Sequence, residues 1–116
     1  MWCAEGPKLR LAGIAAREMD GSCRRGQPCP RASAQAARDA LVQLLGGPRG
    51  RKPDGHVLVR APALSCRSTG DAHYGRTGAL CTLADGRGLS CVMLASKTVS
   101  RWARYARGLR CPKIRP

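Results

Sequence analysis

Seven cysteines, Cys3, Cys23, Cys29, Cys66, Cys81, Cys91 and Cys111, fall within 116 residues. A chain this short rarely carries that density in a reducing compartment unless it binds metal, so the cysteines point to an oxidising environment and covalent staples. Zinc is the competing use, and the spacing argues against it. There is no Cys-x-x-Cys pair, the cysteines do not form two close clusters, and the only histidines are His56 and His73. Up to three disulfides and one free thiol are expected, each closed loop contributing about 2–4 kcal/mol. Connectivity stays open at the level of sequence. The pairs favoured are Cys23 with Cys29, which clips a short loop, and Cys66 with Cys81, which face each other across an expected hairpin.

The length fits one domain, and 43% hydrophobic residues suffice for one modest core. That core must be aliphatic, because Phe is absent and aromatics make up only 3% of the chain. Trp2, Tyr74, Trp102 and Tyr105 are left as isolated features, so a broad aromatic platform for stacking single strands is not expected. Lys and Arg number 21 against 7 Asp and Glu, a net charge of +14. Most of the cations are Arg, whose planar fork grips phosphate oxygens in pairs, so polyanions are the expected partners. No apolar run approaches the roughly 18 residues of a membrane span. Leu11 to Ala16 is too short for the core of a signal peptide, and Arg17 and Glu18 follow it directly.

Residues Lys8 to Ile14 alternate apolar and basic, which predicts a half-buried strand with Leu9 and Leu11 inward and Lys8 and Arg10 outward. Asp20 to Pro30 reads as a loop. Ser33 is placed to cap a helix over Ala34 to Leu45, with an apolar stripe of Ala37, Leu41, Leu44 and Leu45 and a stop at Gly46-Gly47-Pro48. Pro48 to Gly55 reads as a basic loop, His56 to Arg67 as a strand, Ser68 to Gly75 as a turn, and Arg76 to Leu83 as the returning strand. After a tight turn at Asp85-Gly86, Leu89 to about Val99 predicts a second short helix, followed by a basic tail over about 106–116. No repeat or second domain is evident. A mainly β α+β fold follows, with a small OB-type barrel as the natural architecture.

Three segments carry a family resemblance. Lys-Leu-Arg-Leu-Ala-Gly-Ile-Ala-Ala-Arg-Glu at Lys8 to Glu18 resembles the segment of thermonuclease-like (staphylococcal nuclease-like) domains in which an Arg on a strand precedes an Asp-(Thr/Ala)-x-Glu turn. His73-Tyr74-Gly75-Arg76-Thr77 is similar to the family's Tyr-Gly-Arg motif at the start of a strand, and Asp85-Gly86 with Leu89 to Ala95 resembles its following turn and helix. These pieces run in the family's order from Lys8 to Tyr105.

The resemblance implies Ca²⁺-dependent hydrolysis of DNA or RNA phosphodiesters by a monomer built on an OB-type barrel. It assigns phosphate-clamping roles to Arg10 and Arg76 and the water-activating carboxylate to Glu18; beside these, Tyr74 either stacks on a base or sugar or packs at its turn, and Tyr105 is a candidate nucleic-acid contact. Fixed guanidinium forks and a proton-accepting carboxylate are what such a reaction asks for. Beside this stands the plainer reading of Glu18 as a surface carboxylate relieving positive charge near Arg17, Arg24 and Arg25.

The chain departs from the family at the metal. The resemblance expects ligands in an Asp-Gly-Asp turn near the domain start, which the chain begins too late to include, and in an Asp that aligns with Ala15. A single carboxylate makes a poor Ca²⁺ site, so no metal ligand is assigned. The first strand the resemblance expects would precede or include Trp2-Cys3, so either Met1 is internal to a longer product or the barrel is incomplete. A longer N-terminus, carrying an export signal and the acidic turn, is one expectation, and with it an exported or periplasmic location. A non-catalytic nucleic-acid-binding domain is the alternative function, and a secreted cationic protein acting on anionic surfaces is a third.

Overall fold

The computed structural model describes residues 9–51, 53, 57–59, 64–73, 76–106 and 108–111. Strand β1 (Leu9–Leu11) is short, buries Leu9 and Leu11, and leaves Arg10 between them half-buried. Leu9 and Leu11 face inward as the sequence predicts, Lys8 lies outside the described residues, and the strand expected to run to Ile14 is broken after Leu11. A two-residue turn at Ala12-Gly13 leads into β2 (Ile14–Ala15). Gly13 holds φ +80°, and a Cβ there would lie 2.6 Å from Leu109 Cδ2 and 3.2 Å from the Ala106 backbone. Only glycine satisfies both the turn and that close approach.

The expected loop at Asp20 to Pro30 is part of a longer one over residues 16–33, clipped by a Cys23–Cys29 disulfide. Helix α1 (Ala34–Leu44) begins where Ser33 Oγ accepts a hydrogen bond from the Ala36 amide at 3.0 Å. Its inward face carries Ala34, Ala37 and Val42, with Leu41 and Leu44 partly buried and Leu45 packed just past its end. Gly46 and Gly47, at φ 94° and 88°, end the helix in the left-handed region.

Beyond the helix the structure corrects three local expectations. Pro48 to Arg51 is not loop but an exposed strand, β3 (Pro48–Arg51), paired antiparallel with β4 (Val57–Val59). Pro48 is tolerated because it starts the strand. His56, expected to open the second of these strands, lies outside the described residues, and the strand read over His56 to Arg67 is represented by β4 and the start of β5 (Ser65–His73).

Ser68 to His73 is also strand rather than turn. Here β5 pairs antiparallel with β6 (Arg76–Thr82), and the polar run Ser68 to Asp71 is accommodated as an irregularity in register between Ser68 and Ala72. Gly70 supplies φ +86°, and its amide donates to Ser68 Oγ at 3.1 Å. Turn-forming residues thus serve a bulge inside a strand. Cys66 and Cys81 are direct register partners in this hairpin and form the second disulfide.

The second helix, α2 (Leu89–Ala95), stops four residues short of Val99. Ser96 Oγ donates back to the Met93 carbonyl at 2.6 Å and Lys97 adopts φ 61°, which together end it. A two-residue strand, β7 (Ser100–Arg101), pairs with β2, and a single turn of 3-10 helix covers Ala103–Tyr105. A third disulfide, Cys91–Cys111, joins α2 to the end of the described chain, where Ala106 and Leu109 are buried.

The result is an α+β fold. Its main sheet has the order β1-β6-β5, with β1 parallel and β5 antiparallel to β6. A parallel pair requires a crossover, and the connection from β1 to β6 contains α1. Among the described residues the strands make three separate sheets rather than one closed barrel. The core is aliphatic as the composition demands, centred on Leu89, Ala79, Met93 and Cys81, with Leu9, Leu11 and Ile14 from the first strands. Ser90 is its buried polar member, and its hydroxyl donates to the Ala12 carbonyl at 2.9 Å, fastening α2 to the β1–β2 turn. Among the described residues no helix is long and apolar enough to cross a membrane.

Candidate functional site

Arg10 and Arg76 share one face of the main sheet. Arg10 is the register partner of Gly78, and Arg76 precedes Gly78 by two residues on β6, so the pleat aims both arginines to the same side. Gly78 contributes no side chain between them. Leu9 and Leu11, pointing the other way into the core, fix the strand against rotation.

The face opens into a cavity of about 540 Å³. It brings together Arg10, Glu18, Arg76 and Tyr105, four of the five residues singled out in the sequence. Tyr74, the fifth, lies outside the described residues. The cavity floor is apolar, with Ile14, Ala37 and Met93 among its residues. Its charge is one-sided: seven arginines and one carboxylate, Glu18, line it. Such a wall attracts anions, and the guanidinium groups retain their charge at any physiological pH.

Trp102 and Tyr105 correct the reading of the aromatics as isolated. Their rings meet edge to face with centroids 4.8 Å apart. The Arg10 guanidinium carbon lies 4.6 Å from the Trp102 ring centroid and 5.2 Å from that of Tyr105. Arg104 approaches the Tyr105 ring as well, at 5.4 Å. These are cation–π distances, so the aromatic pair holds Arg10 from two sides. Trp102 is itself fixed, its amide donating to the Gly13 carbonyl at 2.8 Å. The three-residue spacing of Trp102 and Tyr105 on one turn was the available sequence signal.

Glu18 leads the loop that follows β2. Its carboxylate accepts from Arg24 Nε at 2.9 Å, so of the three nearby arginines Arg24 is the ion-pair partner. Arg17 is used otherwise, donating to the Pro30 carbonyl at 2.8 Å and to the Gly21 carbonyl at 2.7 Å, which latches the loop. Gln27 spans the same loop. Its side chain donates to the Ala16 carbonyl at 2.6 Å and accepts from the Arg24 amide at 3.2 Å. Next to Glu18 the Asp20 carboxyl is held below its usual range, first by the Ser22 hydroxyl and then by the Ser22 amide, both donating to it.

The donor set does not suit Ca²⁺. Ala15, where the resemblance expects an Asp, offers no side-chain oxygen and is buried at 4% exposure. The one carboxylate present is already paired with Arg24. Ca²⁺ takes six to eight oxygens at about 2.3–2.6 Å, drawn largely from carboxylates and carbonyls. Among the described residues no three His, Cys, Asp or Glu side chains come together as a metal-sized group.

Compared with protein-family models, with curated proteins and with solved structures, the chain gives no match.

Proposed function

We propose that the chain is a thermonuclease-like nucleic-acid-binding domain that holds a phosphodiester of DNA or RNA between Arg10 and Arg76. The observation that carries the reading is that Arg10 and Glu18, from one segment of the resemblance, and Arg76, from another segment distant in sequence, line one arginine-walled cavity. Guanidinium forks on one strand face form charge-assisted hydrogen bonds with phosphate oxygens, and the surrounding cations draw the polyanion in. Tyr105 and Trp102 keep Arg10 in place. The OB-type architecture belongs to this proposal too, as what the resemblance implies for a fold whose described strands form three separate sheets. Three disulfides fit an oxidising compartment.

Binding without hydrolysis is favoured over the hydrolase reading by two specific features. Glu18 is ion-paired to Arg24, and Ala15 stands where a metal ligand is expected. The test is cleavage and binding of single-stranded DNA and RNA by the purified protein, with Ca²⁺ and with chelator, beside Glu18→Gln and Ala15→Asp. The proposal expects salt-sensitive binding without cutting in the unaltered chain, and any Ca²⁺-dependent cutting only in Ala15→Asp. Ca²⁺-dependent cleavage by the unaltered chain, abolished in Glu18→Gln, establishes the hydrolase instead. Absence of binding to either polymer overturns both.

A further inference from the structure

Glu18 poses an electrostatic problem for a phosphate-binding cavity, since a bare carboxylate repels the anion the arginines attract. A divalent cation is one solution, and the donor set here does not suit one. Arg24 is present in its place. Its Nε lies 2.9 Å from Glu18 Oε1, and both residues line the cavity.

Arg24 is also held. It directly follows Cys23, which is bonded to Cys29, and its amide and carbonyl both engage Gln27, at 3.2 and 3.0 Å. Gln27 in turn donates to the Ala16 carbonyl at 2.6 Å, at the end of the strand that leads to Glu18. The loop is thus closed on itself by the disulfide and the Arg24–Gln27 bonds, and tied by Gln27 to the segment that leads to Glu18. The pair is partly exposed, with side-chain exposures of 43% and 40%, so its effect on folding is small. Its effect on an anion in the cavity is larger, because it offsets the negative charge that Glu18 places at that wall.

We infer that Arg24 takes over the charge-neutralising role of a divalent cation at Glu18, making this a metal-independent site for phosphodiester anions. The inference rests on the nucleic-acid reading above and deepens it by naming the residue that removes the metal requirement. Glu18 then serves as the anchor of Arg24.

The experiment is fluorescence anisotropy of a labelled single-stranded DNA oligonucleotide at fixed ionic strength, in EDTA and in millimolar Ca²⁺. The variants are Arg24→Gln, the double variant Arg24→Gln with Glu18→Gln, and Arg31→Gln as a charge-matched change outside the cavity. Unaltered protein is expected to bind equally in both buffers. Arg24→Gln should weaken binding in EDTA by about fivefold near 0.1 M salt, the weight of one phosphate charge on a single strand. Adding Glu18→Gln should restore most of that loss, in EDTA and in Ca²⁺ alike. Arg31→Gln should show a smaller loss and no response to Ca²⁺. Binding by the unaltered protein that collapses on chelation overturns the inference. So does an Arg24→Gln variant indistinguishable from Arg31→Gln. If the unaltered protein does not bind DNA in either buffer, the nucleic-acid reading itself fails.

Discussion

The Arg10 guanidinium carbon sits 4.6 Å from the ring centroid of Trp102, on the sheet face that also carries Arg76. A cation over an aromatic ring at a partly exposed position is worth about 0.5–1 kcal/mol. Loss of that contact lets the guanidinium sample other rotamers. Trp102→Ala is therefore expected to weaken single-stranded DNA binding about two- to fivefold. Trp102→Phe, which keeps a ring face, should recover most of the loss. Equal losses in the two variants, at unchanged thermal stability, would show that the ring face does not position Arg10.

Gly13 is a separate test of the fold. Its φ of +80° and the 2.6 Å approach of Leu109 Cδ2 to a Cβ position leave no room for a side chain. Gly13→Ala is expected to destabilise the protein by more than about 1 kcal/mol, read as a lowered unfolding midpoint in urea. The end of the chain should loosen with it, since Leu109 and Ala106 pack directly on this turn. An unchanged midpoint would mean that the turn does not pack against Ala106 and Leu109 as described.

The disulfides give a third. Cys66–Cys81 closes a loop with a separation of 15 and Cys91–Cys111 one of 20. In the chain-entropy account a loop of that size contributes about 3 kcal/mol, chiefly by restricting the unfolded chain. Cys66→Ala with Cys81→Ala should lower stability by roughly that amount. Peptide mapping without reduction should recover Cys23–Cys29, Cys66–Cys81 and Cys91–Cys111 as linked pairs. Any other pairing among these six would contradict the fold.

Acid behaviour follows from two exposed carboxylates. Asp85 is held below its usual value first by the Arg87 amide and then by the Arg87 side chain, as Asp20 is by Ser22. A carboxyl whose folded value is lowered stabilises the fold above its unfolded value of about 3.8, and the contribution fades as pH falls through the lower folded value. Stability should therefore be flat with respect to these two groups near neutrality and decline only in the acid range. A carboxylate NMR titration should place both below ordinary aspartate. Titration at or above the ordinary value would mean that neither turn is formed as described.

How far the sequence reached depended on whether the signal was local. Ser33, Gly46 and Gly47 marked the ends of α1 because caps are written in single residues. Two disulfides were foreseen because a loop and a hairpin brought the cysteines together within 6 and 15 residues. Cys91–Cys111 was not, since it depends on where the end of the chain packs. Ser68 to Asp71 was misread because a bulge and a turn use the same residues, and the partner strand decides between them. In the cavity, Arg10 and Arg76 were found through motifs. The Arg10–Trp102 contact spans 92 positions of sequence and has no local signature, while the pairing of Glu18 with Arg24 required knowing how the Cys23–Cys29 loop folds back.

The account rests most heavily on Arg10 and Arg76 as phosphate ligands, and the salt dependence of single-stranded DNA binding tests that directly. Each phosphate contact on a single strand contributes about 0.7 to the slope of log K against log salt. Arg10→Gln with Arg76→Gln should therefore flatten the slope by about 1.4. The same measurement on Arg31→Gln with Arg110→Gln, a pair that carries the same charge change outside the cavity, should flatten it far less. Equal flattening by the two pairs would contradict the assignment, reducing the interaction to net charge alone.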